Sequence, residues 1–250
     1  MIFKDYSNIF NTLDDKEREN LTLEINSILE DAWGKFPDHF VKNHILKSEK
    51  VVFARNSDQC LAFCCVNTKN ILGKKVFYIE FLVVRKKFQD QNIGSLLLHS
   101  VIKKQILKNI VKIWFYPFEI MFISPNIRVI TWIAKFAKFI YPNPYLSDEE
   151  GRILLADDVT WRMAQDLIRR SDMPNRKISR EGLVLEGSYE YTPWLVYDTN
   201  SIPWSRTKSK RIYKFTERYL DYAGREGKEF IVRVQLNFFS ILKYLARSII

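Results

Sequence analysis

The feature that most constrains the fold is an abrupt change of hydrophobic pattern in the first half of the chain. Residues Val76–Val84 are apolar except for Glu80, as in a strand buried on both faces. From Ile93 to about Lys108 the apolar residues recur at helical spacing. The polar residues between the two patterns must connect them, so the sequence predicts a strand, a tight loop and a helix.

Elements of both kinds flank this segment. Apolar residues at helical spacing predict helices, and short runs of β-branched and aromatic residues predict strands. Before it we predict a helix at Lys16–Trp33, a short helix from Pro37, a hairpin of Val51–Ala54 and Cys60–Val66, and a loop at Asn67–Lys75. After it we predict a strand at Phe118–Ser124, a helix from Asn126 to about Phe139, helices near 154–170, 209–222 and 238–250, and strands near 183–189 and 230–236.

The composition favours a globular protein with anionic partners. The net charge of +10 attracts phosphates, nucleic acids and anionic lipids alike. Cys60, Cys64 and Cys65 lie in one apolar run, and the three histidines are scattered, so we expect buried thiols in a reducing compartment and no metal. No signal-peptide pattern and no run of about 18 apolar residues occurs, which predicts a cytoplasmic protein without a transmembrane span.

The loop after the strand has a characteristic spacing. Gln89, Asn92 and Gly94 follow the pattern Arg or Gln, two residues, Gly, one residue, then Gly or Ala. This segment resembles the coenzyme loop of the GNAT acyltransferase superfamily, and the resemblance covers about residues 15–140. Asn92 replaces the first glycine of the pattern, and asparagine is the non-glycine residue that best tolerates a left-handed backbone.

The resemblance implies a fold, a co-substrate and a reaction. The fold is α/β (α+β mixed) and GNAT-like, with a mixed, mostly antiparallel central sheet flanked by helices and a large insertion before the last strand. The co-substrate is acetyl-CoA or another acyl-CoA, whose pyrophosphate is held by backbone N–H groups and the positive end of the following helix. The coenzyme contacts implied are Val83, Val84, Gln89, Gln91, Asn92, Ile93, Gly94, Ser95 and Asn126.

The implied reaction is direct attack of an amine on the thioester, which needs a base and an acid. Glu80 is the only ionisable residue in its strand, where burial raises the pKa of a carboxyl group, so it is the predicted base. A solvated or cation-paired carboxylate is the alternative. The family's tyrosine acid aligns with Phe136, which leaves the role to Tyr141, Tyr116 or water. Asn126 is equally suited to capping a helix.

The domain organisation follows from the same resemblance. Residues 1–140 are the predicted acyl-CoA-binding core, 141–228 an insertion or appendage, and 229–250 a strand and helix that complete the core. The appendage is expected to select a small-molecule or protein amine, with Trp194, Tyr197, Trp204 and Tyr213 as candidate lining residues. The acceptor and the acyl chain length stay open.

Two other functions remain open at this point. A coenzyme-binding module without catalysis would explain the phenylalanine at position 136. A basic protein that binds nucleic acid or a membrane surface would explain the charge and the segment Arg206–Arg211, which lies beside Trp204 and Tyr213. Nucleic acid is the less favoured of these partners, because a short basic run is more often a solvated face.

Overall fold

The computed structural model describes residues 1–36, 38–57, 59–171, 174–187, 209–220 and 227–246. They form two compact units. The first unit contains residues 1–68 and 77–110. The second contains residues 69–76 and the described residues from 111 onward.

The first unit combines four strands with helices. Its elements are β1 Ile2–Ser7, α1 Ile9–Thr12, α2 Asp15–Trp33, α3 Asp38–Phe40, β2 Lys50–Arg55, β3 Cys60–Ile71, β4 Lys74–Val84 and α4 Ile93–Phe115, the last three extending into the second unit. The strand order is β1-β2-β3-β4, and β2 runs antiparallel to both β1 and β3. The predicted hairpin is therefore confirmed, whereas β1 was not predicted.

Local signals in the sequence explain why α2 forms where it does. The Asp14 side chain accepts a hydrogen bond from the Glu17 amide, and the Glu17 side chain accepts one from the Asp14 amide, which is a capping box. One face of the helix enters a buried cluster with strand residues such as Phe53 and Phe63. That face comprises Leu21, Ile25, Ile28 and Leu29. Capping fixes the helix start, and burial of this face supplies most of its stability.

The predicted loop at Asn67–Lys75 is wrong, because these residues form the end of β3, a tight turn and the start of β4. β3 continues to Ile71, and β4 begins at Lys74. Leu72 and Gly73 between them both have positive φ, at 49° and 76°, as the primed turns of tight hairpins require. The polar residues that suggested a loop lie on strands that extend beyond the apolar core, where polar side chains are tolerated on a solvated face.

The second unit is built on paired strands from the second half of the chain. Its elements are β5 Phe118–Ser124, α5 Ile127–Ala134, β6 Phe139–Tyr141, α6 Asp158–Arg169, β7 Ile178–Ser179, β8 Val184–Glu186, α7 Lys210–Leu220, β9 Lys228–Leu236 and α8 Phe238–Ala246. The strand order is β5-β9-β8-β7, and β6 also pairs with β9. The pairs β5–β9, β6–β9, β8–β9 and β7–β8 are antiparallel.

β9 pairs with β5, from which a long segment of the chain separates it. The fold is thus mixed α/β, with mostly antiparallel strands flanked by helices, as predicted. Two helix ends differ from the prediction. α5 ends at Ala134 rather than near Phe139, because Phe139–Tyr141 pairs with β9, and α4 continues past Lys108 to Phe115.

A buried ion pair joins β5 and β9. The Arg233 guanidinium donates to both carboxylate oxygens of Glu119, at 2.9 and 3.1 Å, and to the Thr160 hydroxyl at 2.7 Å. The Gln235 amide also donates to Glu119, at 2.8 Å. These bonds satisfy two charges that would otherwise be costly to bury.

Candidate functional site

The loop between β4 and α4 has the geometry of a tight strand-to-helix connection. After β4 the chain makes a 3-10 turn at Lys86–Phe88 and then passes through Asp90 and Asn92, whose φ angles are 65° and 61°. The Leu96 amide donates to the Asn92 carbonyl at 3.0 Å, which is the first hydrogen bond of the helix. The left-handed conformation expected of Asn92 is present.

Gly94 lies in the first turn of α4, close to the end of β4. A Cβ atom on Gly94 would lie 3.2 Å from Cγ2 of Val84 and 3.9 Å from Cδ2 of Leu82. The glycine therefore lets the helix start approach the strand closely.

Side chains of the loop and its neighbours hold it in place. Gln89 Nε2 donates to the Val84 carbonyl at 3.1 Å, and Gln91 Nε2 donates to the Lys87 carbonyl at 3.0 Å. Arg85 donates from Nε to the Cys60 carbonyl at 2.8 Å. Both glutamines thus stabilise the loop, and of the implied contacts in this segment Ile93 is buried while Ser95 is half-buried.

A second anchor ties the loop to α2. The Arg85 guanidinium donates to the Ser27 carbonyl at 3.1 Å and to the Ser27 hydroxyl at 3.0 Å. The Lys86 amide donates to the Asp31 carboxylate at 2.7 Å. Sequence reasoning missed these partners, because Ser27 and Asp31 lie on a helix far away in the chain.

The arrangement is chemically suited to an anion. The first amides of an α-helix have no intrahelical acceptor, and the helix dipole adds positive potential at that end. The side chains of Lys86 and Lys87 are exposed beside the loop. Helix starts of this kind are a common type of anion-binding site in proteins.

Glu80 lies on β4, where it is half-buried. The Asn67 side-chain amide donates a short hydrogen bond to Glu80 Oε2. The Asn67 Oδ1 atom accepts from the Glu49 amide at 2.7 Å, which fixes the amide orientation with its NH2 group towards the carboxylate. Asn67 was assigned to a loop from the sequence, so its role beside Glu80 was not foreseen.

The other proposed catalytic residue, Tyr141, lies in the second unit. Its hydroxyl is 2.8 Å from the Leu154 carbonyl and 3.3 Å from the Arg180 carbonyl, and it accepts from the Gly182 amide at 3.0 Å. Burial raises the pKa of Tyr141 to about 12. These bonds give the hydroxyl a structural role, and its role as the acid stays a prediction.

Two further positions of the second unit bear on the predicted chemistry. Asn126 caps α5, since its side chain accepts from the Arg128 amide at 3.0 Å. The capping role is thus present, and the coenzyme contact stays a prediction. Phe136 is buried with its ring 5.1 Å from that of Trp132, so this position presents no hydroxyl.

The three cysteines are free and buried, as predicted. Burial raises the pKa of Cys60 to about 11 and that of Cys64 to about 12, and it also raises the pKa of Cys65 well above the usual value of a thiol. Thiols with such pKa values are poor nucleophiles near neutral pH. Within the described ranges we find no group of three or more His, Cys, Asp or Glu side chains arranged to hold a metal ion.

Comparison with known families identifies the region around the loop. Residues 15–117 match the family described as acetyltransferase (GNAT) family. Over these residues the chain belongs to the GNAT superfamily. The match contains α2, the hairpin, β4, the loop and α4, so the resemblance seen in the sequence is confirmed for the GNAT region. No curated protein matches the chain.

Several solved structures are similar to part of the chain. GCN5 from Tetrahymena is 13% identical with a TM-score of 0.40, over 54% of this chain and 77% of that chain. Naa50 from Arabidopsis thaliana, in complex with a bisubstrate analogue, is 20% identical with a TM-score of 0.36, over 58% and 90%. The Escherichia coli GNAT family N-acetyltransferase YhbS, in complex with CoA, is 11% identical with a TM-score of 0.37, over 50% and 63%.

Proposed function

We propose that this protein transfers an acetyl or longer acyl group from acyl-CoA to an amine by direct attack on the thioester. The observation that carries the proposal is the β4–α4 loop of the GNAT region. There, Asn92 has a left-handed backbone and Gly94 packs closely on Val84, and this geometry supports a role for the first amides of α4 in binding the pyrophosphate. The residues proposed to hold the coenzyme are those from Gln89 to Ser95, with Asn126 as a further contact.

Within this proposal, Glu80 removes the proton from the attacking amine. The side-chain oxygen of its partner Asn67 accepts from the Glu49 amide, so the Asn67 NH2 group faces Glu80 and donates to its carboxylate. This hydrogen bond holds one oxygen of Glu80 in a fixed position, as a general base requires. The amine nitrogen bonds to the thioester carbon as the carbon–sulfur bond breaks, and the proton balance is completed when the thiolate is protonated.

The remaining steps are proposed for the backbone and for water. The main-chain N–H groups near Val83 and Val84 are proposed to polarise the thioester carbonyl, which is the electrostatic part of catalysis. The Tyr141 hydroxyl already donates to the Leu154 carbonyl, and the buried Phe136 has no hydroxyl. Water is therefore the proton donor to the thiolate that these two observations favour.

The acceptor is an amine, and the segment 141–228 is proposed to select it. We keep the division into a core at 1–140, an appendage at 141–228 and a closing strand and helix at 229–250 as part of this proposal. Of the aromatic residues proposed for the acceptor pocket, Tyr213 is exposed on α7. Trp194, Tyr197, Trp204 and residues 206–208 of the basic segment lie outside the described residues.

Location is part of the proposal as well. Buried free thiols fit a reducing compartment, so we propose a cytoplasmic site of action. In the part of the chain that the structure describes, no helix is both long and apolar enough to cross a membrane.

A binding module without catalysis is the second candidate. It is favoured by buried Phe136, which stands where the family pattern has a tyrosine. Incubation with acetyl-CoA and a panel of small amines, aminoglycosides and peptides, followed by measurement of CoA release, separates the two. Amine-dependent release that Glu80→Gln suppresses supports the enzyme, and coenzyme binding without release from any acceptor supports the module.

A further inference from the structure

The C-terminal end of α4 exposes apolar side chains where a surface helix normally exposes polar ones. Ile113 points inward and is 3% exposed, whereas Trp114 and Phe115 are 63% and 72% exposed. Val111 is exposed on the same side, since at about 100° per residue it falls within an arc of about 100° with Trp114 and Phe115. Tyr116, directly after the helix, is exposed as well.

The C-terminal helix α8 presents a similar face. Ser240 and Ile241 are buried, while Phe239 is 75% exposed and Leu242 is also exposed. The two helices are joined at these faces, because the rings of Trp114 and Phe238 lie 4.2 Å apart. Together the exposed side chains form what we call the aromatic patch: Val111, Trp114, Phe115, Tyr116, Phe239 and Leu242.

The two chain segments that carry the aromatic patch contain basic residues and no acidic ones. The sequence contains no Asp or Glu between Gln91 and Pro117, and none between Phe230 and Ile250. Lys112 and Lys243 are exposed beside the apolar residues. A contiguous apolar surface of this kind marks an interaction site.

We infer that the aromatic patch docks the protein on an anionic membrane surface. Trp and Tyr side chains prefer the boundary between lipid and water, and lysine stems lie along apolar surface while their charge reaches the headgroups. A second copy of the chain is a poorer occupant, because two patches facing each other would bring lysines together. A nucleic acid would leave Val111, Phe115 and Leu242 without a matching partner.

This inference does not depend on acyl transfer. Binding of this kind combines shallow insertion of the apolar side chains with attraction of each lysine to the surface. Each lysine near an anionic surface contributes about fivefold in affinity. Binding should therefore require anionic lipid and weaken as the salt concentration rises.

The test is sedimentation of the full chain with vesicles of phosphatidylcholine alone and of phosphatidylcholine with phosphatidylserine. We expect retention on the mixed vesicles only. The pair Phe115→Ser with Phe239→Ser should reduce it by about tenfold or more. The double variant Lys112→Glu with Lys243→Glu should also reduce retention on the mixed vesicles, because it replaces attraction to the anionic surface by repulsion.

A matched control uses exposed leucines outside the patch. Leu146 and Leu154 are 76% and 89% exposed on the segment before α6, and replacing both by serine should leave retention unchanged. Brominated lipid should quench tryptophan fluorescence in the wild type, and Trp114→Phe should remove most of that quenching. Unchanged melting temperatures would show that each variant is folded.

Three results would overturn the inference. The first is no retention on anionic vesicles. The second is retention that folded patch variants do not reduce. The third is a dimer in solution that Phe115→Ser with Phe239→Ser dissociates, because the patch would then be an interface between copies of this chain.

Discussion

Replacing Glu80 by glutamine removes the proposed proton acceptor and keeps the surrounding contacts. The Asn67 amide donates to this side chain, and its orientation is fixed by the Glu49 backbone. Glutamine can turn its own carbonyl oxygen towards Asn67 and preserve the hydrogen bond. The change in the free energy of unfolding should therefore stay within about 1 kcal/mol.

The effect on the reaction should be much larger. General-base catalysis contributes about 10²–10⁴ in rate, which is about 2.7–5.5 kcal/mol of transition-state stabilisation. We expect Glu80→Gln to lower kcat by at least about 10² while the affinity for acetyl-CoA, measured by calorimetry, stays within about twofold.

The matched control is Glu49→Gln. Glu49 is also a carboxylate of this network, since its Oε2 accepts from the Thr68 hydroxyl at 2.8 Å, but it is exposed. The Glu49→Gln variant should retain wild-type activity. Asn67→Ala should lower kcat by about tenfold without changing coenzyme affinity, because the base loses its fixed position. Equal rates for the wild type and Glu80→Gln at every pH would refute the assignment.

Three further predictions concern the folded state. Gly151→Ala should destabilise the protein by at least about 2 kcal/mol in chemical denaturation, because Gly151 has φ 83° and a Cβ there would lie 2.6 Å from the Lys214 backbone. Burial would raise the pKa of Asp166, but the Leu72 amide and the guanidinium of Arg170 outweigh it and lower this pKa to about 2. Above pH 4 the free energy of unfolding of the wild type should therefore exceed that of Asp166→Asn by about 1–2 kcal/mol, and this difference should disappear as the pH falls through 2. A difference that does not change with pH would contradict this prediction. The cysteines should not react with a thiol reagent at pH 8 until denaturant is added, and fast labelling of the native protein would contradict their burial.

The parts of the fold that local patterns determine were predictable. The Asp14 cap and the apolar face of α2 lie within one stretch of sequence, and so do the strand, loop and helix around Asn92. β1 was missed because it forms by pairing with β2, which lies far along the chain. Asp5 in β1 forms ion pairs with Lys50 and Lys104, both at 2.8 Å, and neither partner can be inferred from the first seven residues.

The candidate site was predictable only in part, for the same reason. The loop spacing identified Gln89, Asn92 and Gly94. Only the structure shows that a glycine at position 94 allows close packing on Val84. The partner of Glu80 was hidden because Asn67 lies in a polar stretch that reads as a loop. Such a stretch becomes a strand only when its backbone pairs with a neighbour, which is a tertiary effect that overrides local preference.

The most direct test of the coenzyme site is calorimetric titration of acetyl-CoA into the wild type, Gly94→Val and Gly73→Asn. Gly73→Asn is the control, because asparagine tolerates the positive φ of this β3–β4 turn position and no other atom lies within 4 Å of a Cβ placed there. We predict a micromolar Kd, about −8 kcal/mol, for the wild type and for Gly73→Asn. Gly94→Val should bind at least about tenfold more weakly, because its side chain would press on Val84 and displace the first amides of α4. No binding by the wild type, or unchanged affinity in a folded Gly94→Val protein, would contradict the assignment of this loop as the coenzyme A site.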